Sequence, residues 1–315
     1  MADSSAASFA TVVISTRNRG DSVLRPVCSI LKNNYPSVEV IVVDQSIDDR
    51  TELALRPFLH PPRVRYIRTS TQGASAGRNI GIANARSELI AITDDDCEVS
   101  ANWLTELAAA FAANEKIGVV VGNVLAGPYD RSAGFIVSYV RREPLLIRSL
   151  RDKHLIEGTS ACMGLKRQAW RALGGFDELL TVGARLKGAE DTDLTIRALL
   201  AGYFIYHTPR LAVTNHSFFS WQEADNVNHR YLYGNGAMFA KLLKYKGWSA
   251  LGLLARLTWK GFLGSSLVYR GGRSQLWLKT TSFMRGFMAG VFTRVNPTTG
   301  QFTTTGPTLP DQRNV

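Results

Sequence analysis

Short apolar runs alternate with helix-like stretches along the first part of the chain. The runs are rich in Val and Ile and predict strands near residues 11–16, 39–44, 63–67, 89–93 and 118–124. The stretches between them predict helices near residues 22–33, 50–59, 74–85 and 102–113. Because the strands are apolar throughout, helices should cover both faces of the sheet. The pattern therefore predicts an α/β fold with a mainly parallel central sheet.

The second half of the chain is less regular. A more ordered pattern returns at residues 157–165. Residues 204–206 and 211–213 are strand-like, whereas residues 167–173 and 193–201 predict helices, the first ended by Gly174 and Gly175. From about residue 220 the pattern is helical and amphipathic, and the last stretch is rich in Thr, Pro and Gly. We expect an α/β domain over 8–219, a basic helical extension over 220–294 and a disordered tail over 295–315.

Net charge is +11 over 315 residues, and the excess lies in the C-terminal third. After Ser220 the chain carries twelve Lys and Arg residues against three acidic ones, interleaved with Trp, Phe and Tyr. No apolar run approaches the ~20 residues that span a bilayer. Two interpretations stay open for the extension: an interfacial helix on an anionic membrane, or a helical cap with a solvated basic face.

Cysteine usage and the N-terminus bear on the compartment. Cys28, Cys97 and Cys162 are odd in number and far apart, which argues against a disulfide framework or a zinc site. The N-terminus lacks a basic segment followed by an apolar one, so a secretory signal is not expected. We expect a cytoplasmic protein, with the basic extension offering peripheral contact with the cytoplasmic face of the membrane.

Asp94, Asp95 and Asp96 directly follow the predicted strand at residues 89–93. Three adjacent carboxylates repel one another unless a cation neutralises them, and a divalent metal is the obvious candidate. Ligands of open α/β sheets bind outside the carboxyl ends of the strands, where this cluster should lie. The alternative is a solvated acidic turn.

Further polar residues follow other strands or begin helices. Thr16 and Arg19 come directly after the first predicted strand, and Asp44 ends the second, where a carboxylate commonly accepts hydrogen bonds from a ribose or a nucleobase. Small residues around Arg78 let the backbone approach a ligand, and Arg78 can pair with a phosphate.

Glu190 and Asp191 stand at a probable helix start. Acidic residues are favoured in a first helical turn simply as caps. The functional alternative is a general base, in which one carboxylate accepts the proton of an incoming hydroxyl.

The order of these residues along the chain resembles that of family 2 inverting glycosyltransferases, which have the nucleotide-sugar-transferase fold called GT-A. The resemblance covers roughly residues 9–216 and also includes the segment from Gly174 to Glu178. It implies transfer of a sugar from a nucleotide-diphosphate donor, with UDP first and GDP or dTDP open, to a glycan or lipid-linked acceptor. Cell-surface polysaccharide synthesis is the expected setting, and no nucleic-acid partner is expected.

The resemblance also implies roles for individual residues. Thr16, Arg19, Asp44, Arg78, Asp94 and Asp95 would bind the nucleotide diphosphate, with Asp44 at the base and Arg78 at the diphosphate. Asp94, Asp96 and His216 would hold Mn²⁺ or Mg²⁺, with His207 as the competitor for His216. Asp191 would deprotonate the acceptor beside Glu190, and Gly175, Phe176 and Asp177 would border the donor sugar and the acceptor.

Three positions depart from the family pattern. Ser15 stands where proline is usual, Gln45 replaces the second of two acids, and Gly77 replaces an alanine. None of them removes a charged group that the mechanism needs, although Gln45 makes the choice of nucleotide base less certain.

Four alternative functions remain. A sugar-phosphate nucleotidyltransferase would share the fold and the metal, but residues 15–20 are a poor version of its glycine-rich loop. Hydrolysis of the nucleotide sugar without an acceptor is separable by product analysis. The basic aromatic tail could bind single-stranded nucleic acid, or the chain could be an inactive scaffold at a membrane.

Overall fold

The computed structural model describes residues 9–59, 63–157, 159–247, 252 and 273–303. Its central sheet has nine strands. Their bounds are β1 Phe9–Thr16, β2 Ser37–Asp44, β3 Val64–Arg68, β4 Leu89–Asp94, β5 Cys97–Val99, β6 Ile117–Ala126, β8 Leu145–Ile147, β9 Met163–Lys166 and β10 Phe204–Asn215. Two small antiparallel pairs join β7 (Gly134–Ile136) to β11 (Phe218–Ser220) and β12 (Arg294–Val295) to β13 (Phe302–Thr303).

Strand order across the central sheet is β3-β2-β1-β4-β9-β6-β10-β5, with β8 also paired to β10. The pairs β2–β3, β1–β2, β1–β4 and β6–β10 are parallel, whereas β9 is antiparallel to both of its neighbours. The parallel register brings Thr16 beside Asp44 and Ser15 beside Asp94. The prediction of an α/β fold with a mainly parallel sheet is confirmed, and the polar ends of β1, β2 and β4 meet at one edge.

Helices cover both faces of this sheet. They are α1 Leu24–Leu31, α2 Arg50–Leu55, α3 Ala74–Ala83, α4 Trp103–Ala112, α5 Arg167–Leu173 and α6 Glu190–Leu200. Alternate residues of β1 enter different cores: Val12 and Ile14 pack on one face and Val13 on the other. A strand buried on both faces must be apolar at consecutive positions, which explains the unbroken Val and Ile runs.

Several predicted bounds differ from the structure. Helix α6 begins at Glu190, three residues before the predicted start, because the acidic residues belong to its first turn. The two strand-like pieces near residues 204–213 are one strand, β10, with a register shift against β6. Strands β5, β7, β8 and β11 were not predicted, since three residues are too few to show a period.

The extension after residue 220 contains α7 (Ala224–Lys246) and α8 (Arg273–Val291). Helix α7 shares a third hydrophobic cluster with Leu180, Leu186 and Ile196 of the preceding domain. Its Lys241 is buried and forms ion pairs with Asp177 at 2.6 Å and Asp193 at 2.5 Å. The helix therefore packs into the catalytic domain through apolar and charged contacts.

The tail also differs from its prediction as far as residue 303. Strands β12 and β13 form a hairpin, and the side chain of Gln301 donates to the carbonyl oxygens of Gly174, Gly175 and Phe176. A disordered segment from residue 295 is thus wrong for 295–303, because these contacts fix the chain. Residues 304–315 lie outside the described part of the chain.

Among the described residues, neither α7 nor α8 nor any other helix combines the length and hydropathy that a bilayer span requires.

Candidate active site

A cavity of about 990 Å³ lies at the carboxyl ends of β1 and β4. Its wall includes Ser15 and Thr16, the three consecutive aspartates, the first turn of α6 and one face of α7. The sheet topology explains this convergence, since the parallel strands β1 and β4 end at the same edge. The predicted acidic groups, Asp94 to Asp96 and Glu190 with Asp191, therefore share one cavity.

Asp95 is the buried member of the aspartate cluster. The Thr16 hydroxyl donates to its Oδ2 at 2.6 Å, and Nε of Arg19 lies 3.6 Å from its Oδ1. Burial raises the pKa of Asp95 to about 6, with the negative charges of Asp96 and Asp94 acting in the same direction and Thr16 and Arg19 opposing them. Thr16 and Arg19 are thus brought to the aspartate cluster, as their position after β1 predicted.

Asp94 and Asp96 form the part of the cluster that could hold a cation. One carboxylate oxygen of each and Sγ of Cys97 all lie within 4.8 Å of one another. Burial and the nearby carboxylates raise the pKa of the Cys97 thiol, so the sulfur stays protonated at neutral pH. Two carboxylates without a thiolate suit a hard divalent cation such as Mg²⁺ or Mn²⁺, which also accepts phosphate oxygens.

The two histidines considered as metal ligands lie outside this group of ligand atoms. His216 is tied to the cluster through its backbone, because its N–H donates to the Asp96 carbonyl at 3.0 Å, while its Nε2 lies 3.6 Å from Glu98. His207 is buried, with Nε2 3.2 Å from Asn123 Oδ1 and its ring against Tyr139. Burial lowers the pKa of His207 to about 4, so it is a neutral residue of the sheet interior.

Arg78 connects the two acidic groups of the cavity. It is 5% exposed, and its guanidinium donates to Oδ1 of Asp94 at 2.9 Å and to Oε1 of Glu190 at 3.2 Å. Burial alone would lower the pKa of Arg78, but the carboxylates of Asp94, Asp191 and Glu190 outweigh it and raise the pKa. The guanidinium stacks over the ring of Phe176, 5.7 Å from its centroid, which supports it from behind.

Asp191 combines a held oxygen with an unengaged one. Its Oδ2 accepts the backbone N–H of Ser160 at 3.0 Å, and its buried Oδ1 has no hydrogen-bond partner among the described residues. Burial raises the pKa of Asp191 to about 7, and the charge of Glu190 adds to the effect. A carboxyl group poised near neutral pH with a free oxygen in a cavity fits a general base.

Glu190 has a different environment from its neighbour. Its Oε1 accepts from Arg78 and, at 3.2 Å, from the hydroxyl of Thr181. The side chain is thus held by a cation and a hydroxyl, so it fixes the first turn of α6 next to Asp191.

Asp44 is not among the residues that line the cavity. Its carboxylate is fully buried and accepts the backbone N–H of Ser46 at 2.9 Å and the hydroxyl of Tyr66 at 2.8 Å. Gln45, the next residue, lines the cavity instead. Each oxygen of Asp44 thus has one local donor, and the base contact expected for Asp44 stays a prediction.

Gly175, Phe176 and Asp177 also lie off the described cavity wall. Asp177 is 1% exposed and accepts hydrogen bonds from Lys241 Nζ and the backbone N–H of Phe302. Phe176 is buried behind Arg78. In this structure the segment anchors α7 and the C-terminal hairpin, and its placement beside donor and acceptor stays a prediction.

Other cavity residues were not anticipated from the sequence. They come from the 182–189 loop, from the segment around Ser160 and from the face of α7 that carries Asn228, Tyr231 and Asn235. The spacing of the three α7 residues by three and four positions is the one signal that could have placed them together.

Solved structures of other proteins share the fold of this chain. TarS of S. aureus in complex with UDP-GlcNAc superposes with a TM-score of 0.63 at 16% identity, covering 88% of this chain and 81% of that one. A mannosyltransferase, PcManGT of Pyrobaculum calidifontis, in complex with GDP-Man and Mn²⁺, gives a TM-score of 0.58 at 18% identity, covering 90% and 87%. At such identities the likeness establishes the fold, which is GT-A.

Curated relatives match over parts of their length. Glycosyltransferase GlyG of Streptococcus pneumoniae is 31% identical over 142 residues, 44% of this chain and 46% of GlyG. The putative colanic acid biosynthesis glycosyl transferase WcaA of Escherichia coli is 28% identical over 193 residues, 60% of this chain and 66% of WcaA. The chain spans less than half the length of the first curated relatives that it matches. The family model for glycosyl transferase family 2 matches residues 11–174, just over half of the chain, so the protein belongs to glycosyl transferase family 2.

Proposed function

We propose that the protein is a metal-dependent, inverting glycosyltransferase that moves a sugar from a nucleotide-diphosphate donor to a hydroxyl of a glycan or lipid-linked acceptor. The observation that carries the proposal is the shared cavity, in which Arg78 joins Asp94 to Glu190, the neighbour of Asp191. Relatives named for colanic acid and succinoglycan biosynthesis support a role in polysaccharide synthesis.

Asp94 and Asp96 are the residues that would hold a divalent cation, Mn²⁺ or Mg²⁺. When bound, the cation supplies Lewis-acid stabilisation of the charge that develops on the departing diphosphate. His216 stays a candidate third ligand, because its backbone N–H donates a hydrogen bond to the carbonyl oxygen of Asp96. His207 is a weaker candidate, because it lies in the interior of the sheet.

The donor nucleotide would lie along the ends of β1 and β2. Thr16, Arg17, Arg19 and Gln45 line this part of the cavity, and their cationic and polar groups suit a nucleoside diphosphate. UDP is our first choice and GDP the second, supported by neighbours solved with UDP-GlcNAc and with GDP-Man.

Asp191 would act as the base. Its unengaged Oδ1 accepts the proton of the acceptor hydroxyl while that oxygen attacks the anomeric carbon from the side opposite the diphosphate. A single displacement inverts the anomeric configuration. The positive charge of Arg78 offsets the negative charges of Asp94 and Glu190. It therefore limits how far these carboxylates raise the pKa of Asp191.

The acceptor would enter beside α7. Tyr231 is 39% exposed and lines the cavity with Asn228 and Asn235. The phenol group itself is desolvated at the cavity wall, which raises the pKa of Tyr231 to about 12, and the charges of Glu190 and Asp191 act in the same direction. The phenol therefore stays protonated near the catalytic pair, where it can donate a hydrogen bond to a sugar oxygen.

Peripheral contact with an anionic membrane is a second part of the proposal. The exposed apolar side chains of α8 include Trp277, Met284 and Met288, followed by Phe292. Exposed Arg285 and Arg294 lie in the same segment, and apolar and cationic groups together suit a lipid interface. Flotation with anionic liposomes should show binding that falls with added salt, and no binding at low salt would reject this part.

One experiment tests the enzymatic proposal. UDP-GlcNAc, UDP-glucose and GDP-mannose are incubated separately with the protein, Mn²⁺ and simple glycoside acceptors, and the products are followed by NMR. The proposal predicts a new glycosidic bond of inverted anomeric configuration that forms only with the metal. Release of free sugar alone would indicate hydrolysis, and a retained configuration would contradict the mechanism.

A further inference from the structure

The turn that precedes the catalytic pair is strained. Lys187 and Ala189 have φ angles of 68° and 76°, in the left-handed region that side chains other than glycine rarely occupy. Ala189 is the N-cap of α6, so this turn sets where Glu190 and Asp191 begin. Strain of this kind persists only where surrounding contacts enforce it.

Helix α7 supplies these contacts on one side. A Cβ at Gly234 would lie 2.5 Å from the backbone carbon and oxygen of Gly188, so the helix touches the turn with backbone against backbone. Nζ of Lys187 lies 4.8 Å from the ring centroid of Tyr233 and 3.4 Å from Nε2 of His229. His229, Tyr233 and Gly234 of α7 therefore contact two consecutive residues of the turn, Lys187 and Gly188.

The same helix holds the first turn of α6 from another side. Nζ of Lys241 lies 2.5 Å from Oδ1 of Asp193, whose Oδ2 accepts from Arg197 at 2.9 Å. Lys241 and Asp193 are both nearly inaccessible to solvent, so this ion pair is not weakened by water. Asp191 thus lies between two points of α6 and its turn that α7 fixes.

We propose that α7 is the positioning element of the active site, with Gly234 and Lys241 as positioning residues that hold Asp191 in its reactive place. The proposal rests on the function proposed above, in which Asp191 is the base. Helix α7 therefore does more than cap the domain: its close approach to Gly188 fixes where the base carboxylate lies.

The consequence is a specific kinetic phenotype. A misplacement of about 1 Å at a reacting group can cost about 10²-fold in rate while substrate binding is kept. The donor nucleotide as proposed above would lie along the ends of β1 and β2, beside Thr16, Arg19 and Gln45, which α7 does not hold in this way. A shift of the turn should thus lower kcat and leave the KM of the donor and the binding of the nucleotide nearly unchanged.

Gly234→Ala is the direct test, and Gly236→Ala is its matched control. The methyl group at residue 234 meets the Gly188 backbone, whereas at residue 236 it meets the carbonyl oxygen of Phe283, 2.1 Å away on α8. Both changes add one methyl to the same helix with the same propensity effect. Tyr233→Leu serves as a second variant, because it removes the aromatic ring that Lys187 contacts. Tyr233 is not among the residues that line the cavity, so the change does not alter the cavity wall itself.

Two readouts are measured on the full chain. Steady-state turnover of the active nucleotide sugar gives kcat and KM, and hydrogen exchange of residues 184–193 reports the turn without any substrate. We expect Gly234→Ala to lower kcat at least about 10-fold, to change KM less than about twofold and to speed exchange in this segment. Tyr233→Leu should act in the same direction, and Gly236→Ala, whose methyl meets α8 and not the turn, should have a clearly smaller effect on both readouts.

The inference is overturned if Gly234→Ala and Gly236→Ala give the same kcat and the same exchange in residues 184–193. It is equally overturned if both Gly234→Ala and Tyr233→Leu keep the parent kcat. Failure of the proposed function is a separate result: the parent protein would turn over none of the nucleotide sugars. In that case the exchange comparison still decides whether α7 holds the turn.

Discussion

Asp94 and Glu190, which are far apart in the sequence, accept hydrogen bonds from opposite arms of one guanidinium, that of Arg78, at 2.9 and 3.2 Å. The end of β4 and the start of α6 are thereby tied together across the cavity. Without this cation, carboxylates from both elements would face one another in a poorly solvated place. The buried Arg78 therefore neutralises carboxylates from both elements and links them across the site.

Replacing that arginine should be costly for stability. Arg78→Met leaves Asp94 and Glu190 without their common partner, and we expect a loss of about 3–5 kcal/mol in the free energy of unfolding, measured by urea denaturation near pH 8. Arg171→Met is the control, since Arg171 forms a half-exposed pair with Glu88 at 3.7 Å and should cost less than about 1 kcal/mol. Equal losses in the two variants would contradict the role given to Arg78.

The pKa of Asp191 links the site to stability. Its folded value of about 7 exceeds an unfolded value near 4, so the folded protein binds the proton more tightly. The stabilisation from protonated Asp191 is complete below about pH 4 and is lost as the pH rises through about 7. Asp191→Asn cannot ionise, so its unfolding free energy relative to the parent should rise by about 2–3 kcal/mol between pH 5 and pH 8. A difference that does not change with pH would show that Asp191 titrates normally.

The acidic cluster makes a prediction about metal binding. Asp96→Ala removes one of two carboxylates, so the thermal stabilisation that UDP or GDP gives together with Mn²⁺ should disappear. Cys97→Ser is the control beside it, because the protonated thiol is not needed as a ligand and its stabilisation by nucleotide and metal should persist. A full metal-dependent shift in Asp96→Ala would place the metal elsewhere.

Tyr231 tests the acceptor side. Tyr231→Phe removes the phenol hydroxyl and keeps the ring on α7, so we expect the KM of a glycoside acceptor to rise about 5- to 10-fold, the worth of one hydrogen bond. Hydrolysis of the donor by water should stay within about twofold of the parent rate. An unchanged acceptor KM would remove Tyr231 from the acceptor site.

The sequence predicted the sheet and its polar edge well, for a physical reason. Unbroken Val and Ile runs identify strands buried on both faces, and parallel strands must end together, so Thr16 and the aspartates could be assigned to one edge. The joint order of these residues then favoured the family.

Other parts depended on long-range contacts that no local pattern reveals. Asp177 and Lys241 form a buried ion pair, and no sequence pattern in either segment indicates that these two residues are partners. Likewise the hydrogen bond from the Tyr66 hydroxyl on the neighbouring strand to Asp44 could not be predicted from either segment. The contribution of α7 to the cavity wall could not be predicted either, because the composition of the extension indicated only a basic amphipathic helix.

The central claim is that Asp191 removes the proton of the acceptor, and its direct test is the transfer rate of Asp191→Asn with whichever nucleotide sugar the parent protein uses. General-base assistance is worth about 10²–10⁴-fold, so kcat should fall by that factor, while binding of nucleotide and Mn²⁺ stays unchanged. Transfer by Asp191→Asn at the parent rate would show that another group is the base.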